Sequence, residues 1–132
     1  MFENVNWLAV LGAAIAAFAI GAIWYGPLFG KRWAQLIGVN MDEPGYPLAS
    51  ILAVNFIMDL LAATVLAVLV GGFAADAVTA AFIGGLVWIP GMALKLNDLM
   101  FTRRPAALFY IDSIGHLVAL VVMAVIVSTF RI

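Results

Sequence analysis

Three ionisable side chains stand inside otherwise apolar stretches of this sequence: Asp59, Asp112 and His116, with Asn55 accompanying the first. An ionisable group in hydrocarbon costs on the order of 2.5–3.5 kcal/mol even on lenient insertion scales, so each needs a reason. Spacing suggests one. Asn55 and Asp59 are four residues apart, as are Asp112 and His116, so in a helix each pair projects from one face. A carboxylate beside an imidazole can be held as an ion pair or exchange a proton, and histidine titrates near physiological pH. That chemistry fits a proton or cation path. The same groups can instead be polar glue, since an interhelical hydrogen bond in a membrane contributes about 0.6 kcal/mol. Small neighbours favour glue: Ala62 and Ala63 by Asp59, and Gly115 and Ala119 by His116, let helices close on one another.

Two sharper chemistries use the same residues. Asp59, Asp112 and His116 supply three oxygen or nitrogen ligands to a metal, with Asn55 a fourth, but one histidine and no cysteine is a poor set for zinc. Ser113 lies between Asp112 and His116, which raises an intramembrane hydrolase. Ser113 is about 100° round a helix from Asp112, however, and neither HExxH nor GxSxG accompanies it. The sequence is read as a non-enzyme without a cofactor.

The elements that must carry these groups follow from composition. The chain has 132 residues, 67% of them apolar and only 10% charged, where a soluble domain carries roughly 25% charged residues. The excess apolar surface must face lipid. A net charge of −1 gives no basic patch for nucleic acid, and zero cysteines exclude disulfides and thiolate chemistry. Charges divide the chain into four apolar spans, at about residues 5–25, 48–70, 78–95 and 106–128. Each approaches the ~20 residues a helix needs to cross a bilayer. The expected fold is an all-α integral membrane bundle of four transmembrane helices in one domain, residues 1–132. Met1 to Asn6 carry Glu3 and no cation, so span one reads as a mature helix, not a signal peptide.

Cations set the expected orientation. Lys31 and Arg32 follow span one, and Lys95, Arg103 and Arg104 mark the end of span three, against Arg131 alone on the other side. Both basic connections are therefore expected in the cytoplasm and both termini outside. Gly26-Pro27 should end span one, Asp42-Glu43-Pro44-Gly45 should turn into span two, and Gly71-Gly72 should make the outer turn. Between them Phe29, Trp33, Leu36 and Ile37 recur at helical spacing opposite Lys31, Arg32 and Gln35. That predicts a short amphipathic helix in the interface, its cations beside lipid phosphates.

Depth then pairs the polar groups. Asn55 lies eight residues beyond Pro47 and Asp112 seven beyond Pro105; Asp59 lies twelve in and His116 eleven. The levels match within about 1.5 Å. If spans two and four are neighbours, Asp59 meets His116 near mid-membrane and Asn55 meets Asp112 one turn nearer the cytoplasm. An offset of 57 positions also lays Asn55 on Asp112 and Asp59 on His116, a weak internal repeat.

Remaining features read as structural. Lys95 and Asp98 can pair with each other, or Lys95 can snorkel to the headgroups. Pro90 can kink span three and free the Leu86 carbonyl. Gly12-Ala16 and Ala17-Gly21 give span one a small-residue face, from which a homodimer is expected. Trp7, Trp24, Trp33 and Tyr46 are placed as interface anchors and Trp88 as core.

The run Gly21-Ala22-Ile23-Trp24-Tyr25-Gly26-Pro27-Leu28-Phe29-Gly30-Lys31, with Asn6-Trp7-Leu8-Ala9-Val10 before it, resembles the opening of a bacterial membrane family known as domain of unknown function 1761. Arg103-Arg104-Pro105 and the Asp112 to Val118 stretch fit the same pattern. The resemblance covers essentially the whole chain. It implies a four-span protein of the bacterial inner membrane and carries no assigned activity. Two functions therefore stay open: a small carrier or channel with the polar cluster in its path, or a structural or accessory protein whose polar residues only fix packing.

Overall fold

The computed structural model describes residues 1–43 and 45–132. The chain forms α1 (Trp7–Ile23), a π-helical turn (Trp24–Leu28), α2 (Gly30–Ile37), α3 (Leu48–Gly72), α4 (Ala77–Phe101) and α5 (Ala106–Thr129). Four segments are long and apolar enough to cross a membrane: Trp7–Leu28, α3, α4 and α5. This is the expected all-α four-span bundle, and lipid must cover its outside.

Both termini meet at one end, where the Asn6 side chain caps α1 through the Leu8 and Ala9 amides and donates to the Phe130 carbonyl at 2.7 Å. The other end carries Lys31, Arg32, Arg103 and Arg104; we call it the basic end. Local chemistry sets the joints. Pro27 has no amide hydrogen, and the helix widens around it, so that the Phe29 amide reaches back five residues to the Trp24 carbonyl at 2.9 Å. Gly26-Pro27 thus does not stop span one but reshapes its last turn. Gly71-Gly72 likewise remain helical, and the turn falls on residues 73–76, with Ala74 taking the left-handed conformation. There Asp76 caps α4 by accepting from the Thr79 amide at 2.8 Å, which holds its carboxyl below the usual range. At the basic end Gly38, at φ +80°, closes the amphipathic helix α2 over Lys31, Arg32 and Gln35 as expected. Of the turn expected at Asp42-Glu43-Pro44-Gly45, Pro44 lies outside the described residues.

α5 is the hub, packing on α4, α1 and α3, while α3 touches α4 little despite the short turn joining them. Towards the terminal end the bundle closes through small residues. Ala13, Ala14, Ala63, Ala80 and Ala124 are fully covered, and Gly84 sits so near α5 that a Cβ there would lie 2.9 Å from the Leu120 carbonyl oxygen. Small side chains let helix backbones approach in this way. Of the small residues on α1, Ala17 is buried, whereas Gly12 faces outward with open space around it.

The basic half is built differently. Aromatic side chains of the π-turn, α2 and α4 bond to α5 here, and among the described residues α3 adds no side-chain hydrogen bond to α5. One stripe of α3 records the change: Leu52, Phe56, Asp59, Ala63, Leu66 and Val70 recur at alternating steps of four and three, a single helix face. Ala63, Leu66 and Val70 are 0% exposed, Asp59 and Phe56 are half-buried, and Leu52 is 44% exposed. Cover is lost at Asp59.

Candidate functional site

Asp112 is the charged side chain held deepest, at 5% exposure. Its Oδ2 lies 3.0 Å from Lys95 Nζ on α4. Its Oδ1 accepts from Tyr25 Oη in the π-turn at 2.6 Å and from Trp33 Nε1 on α2 at 3.1 Å. Three elements thus converge on one carboxylate of α5. Charge-assisted bonds of this kind are roughly twice as strong as neutral ones, and both oxygens are engaged. Two further indoles clasp the backbone around it: Trp24 Nε1 donates to the Ile111 carbonyl at 2.8 Å and Trp88 Nε1 to that of Ser113 at 2.7 Å. Gly115 is required here, because a Cβ would fall 2.7 Å from Trp24 Nε1.

These contacts correct several expectations. Asp112 does not meet Asn55, which is exposed, because Lys95 is a stronger partner at the same level. Lys95 accordingly pairs with neither Asp98, which is exposed, nor the headgroups alone. Trp24 and Trp33 are not free interface anchors, since both indoles are committed to α5; Trp7 and Tyr46 are 55% and 75% exposed. Trp88 is a half-buried bond donor. Ser113 is buried, with its hydroxyl turned back on the Tyr110 carbonyl at 3.5 Å. Among the described residues, Asp59 and His116 share no hydrogen bond or ion pair, and Asp59, Asp112 and His116 do not gather into a metal-holding group.

Sequence reasoning missed Tyr25 and the Lys95–Asp112 pair. The signal was present: Lys95 lies six residues before the end of α4 at Phe101 and Asp112 seven beyond Pro105, so both sit about 10 Å in from the basic end. Depth accounting across spans three and four, as applied to spans two and four, pairs them.

The site thus has two parts. One is a closed polar knot around Asp112, with every buried polar side-chain atom among the described residues satisfied. The other is Asp59, half-buried and with no ion-pair or hydrogen-bond partner among the described residues. His116, half-buried, lies one helical turn from Asp112 on α5.

A multi-pass helical membrane protein is defined by these elements. The chain belongs to the family described as "Protein of unknown function (DUF1761)", whose pattern matches residues 8–128. No curated protein and no solved structure is detectably similar to it.

Proposed function

We propose that this protein is a small proton- or cation-linked carrier or channel in which Asp59 is the working carboxylate. The observation that supports it is the exposure gradient along α3, from 0% at Ala63 to 44% at Leu52, with Asp59 at the transition. A carboxylate within a membrane bundle that the chain neither pairs nor fully covers must neutralise by taking up a proton or a cation. His116 is the second titratable group of the path. The Asp112 knot is then the fixed frame that ties the π-turn, α2 and α4 to α5, and it takes no residue from α3. The cation distribution and the outward Gly12 support the rest of the reading: a homodimer in a bacterial inner membrane, basic end cytoplasmic and termini external.

Purified protein in liposomes tests this. Asp59→Asn keeps size and hydrogen-bonding capacity but removes the charge. Wild type should carry a pH-dependent flux of protons or alkali cations that D59N abolishes while remaining folded. Equal flux through both, or none through wild type, contradicts the reading.

A structural or accessory role is the second reading, and the full satisfaction of Asp112 favours it. Under that reading D59N is silent, and Asp59→Leu or His116→Leu changes stability instead.

A further inference from the structure

The surroundings of Asp59 speak to what it would bind. Three residues before it, on the same stripe of α3, Phe56 packs edge-on against Phe18 of α1, with ring centroids 5.9 Å apart and planes at 81°. Both rings are half-buried, Leu52 continues the stripe towards the basic end, and Asn55 is exposed one turn below Asp59. The carboxylate is thus bordered by aromatic and aliphatic surface with a single amide. Among the elements packed on α3, α1 carries no titratable residue, and Tyr25 in the turn that follows it is bound to Asp112. α5 offers Asp112, committed to Lys95, and His116, with Tyr110 exposed; α4 offers Lys95 itself and exposed Asp98. Among the described residues, no cation lies within ion-pair distance of Asp59.

We infer that Asp59 and the Phe18–Phe56 pair form a binding site for a lipophilic organic monocation, exchanged against a proton; this rests on the carrier reading above. A small metal ion is strongly hydrated and wants several oxygen ligands, of which Asp59 and Asn55 supply two residues' worth. An organic cation loses little hydration, gains cation–π attraction from ring faces and edges its apolar body against Leu52. In the exchange the O–H bond of the Asp59 carboxylic acid breaks, the proton leaves to water, and the incoming cation pairs with the carboxylate. Reprotonation reverses it. One negative charge admits one positive charge, so proton and cation exclude each other.

Equilibrium binding of tetraphenylphosphonium to the purified full chain in lipid nanodiscs provides the test. One site per chain is expected, with apparent Kd rising about tenfold for each unit the pH falls once the carboxyl is mostly protonated. D59N should weaken binding at least tenfold and remove the pH dependence. Asp59→Glu should keep both, and Phe56→Leu should weaken binding severalfold while leaving the pH dependence in place. If D59N does not fold, the wild-type pH dependence and the Phe56 variant decide. Absence of binding by wild type, or binding indifferent to both residues, overturns the inference. Asp59-dependent flux of protons or potassium without tetraphenylphosphonium binding overturns this inference and leaves the carrier reading standing. Binding at Asp59 without any flux does the opposite.

Discussion

Asp112 shows how a bilayer decides the fate of a charge. Buried at 5% exposure, it takes Lys95, Tyr25 and Trp33 as partners, because an ion left alone there is too costly and removing one partner of a buried pair typically costs roughly 3–5 kcal/mol. Lys95 is one-third exposed, which places its loss at the lower end of that range. We therefore expect Lys95→Met to destabilise the protein by about 3 kcal/mol, and the double variant with Asp112→Asn to regain much of that. Thermal unfolding followed by tryptophan fluorescence reads both, since Trp24, Trp33 and Trp88 all bond to α5. A double variant no more stable than Lys95→Met would contradict this, since the stranded Asp112 charge would then not be what the single variant suffers from. At this scale the sequence singled out Asp112 and Lys95 but did not pair them with each other or with Tyr25. Four-residue spacing exposes a helix face, whereas Tyr25 and Trp33 reach Asp112 across 87 and 79 residues of chain, a relation no local pattern encodes.

Among the elements, α2 depends most on a tertiary bond. Eight residues make too short a helix to persist alone; its apolar face lies on the bundle, and Trp33 ties it to Asp112 while its ring packs on Tyr25 at 5.7 Å. Trp33→Phe keeps a ring for packing and removes the donor. Hydrogen bonds to charged groups contribute about 1.5–3 kcal/mol, so amide exchange over residues 30–37 should accelerate by one to two orders of magnitude while α5 stays protected. Unchanged exchange over α2 would mean that lipid, not Asp112, holds it. The four spans and this amphipathic helix were legible because each depends on hydrophobic runs and helical periodicity within a few turns. The joints were less so. Gly-Pro and Gly-Gly usually break helices, yet here the first is absorbed in a π-turn and the second in the last turn of α3, since lipid offers a broken backbone no water to bond.

For the whole molecule, the proposed function rests on the contrast between its halves. Small residues seal the terminal half, and aromatic rings hold α5 to α1, α2 and α4 in the basic half, leaving α3 partly uncovered from Asp59 downward. Neither half is visible in composition, because Phe56 and Leu52 read like any lipid-facing residues until the neighbouring helix is in place. The native chain has no cysteine, so single cysteines report position without background. Introduced at Gln35 and Thr102 they should label from the cytoplasmic side of intact cells' membranes, and at Asp76 from the outside; the reverse pattern would invert the orientation. The same chemistry reaches the central claim. In oriented vesicles, Asp59→Cys should react with a membrane-impermeant, charged thiol reagent applied at the basic end, while Ala63→Cys, one turn deeper and fully covered, should not. An Asp59 position as unreactive as Ala63 from both sides would contradict the account.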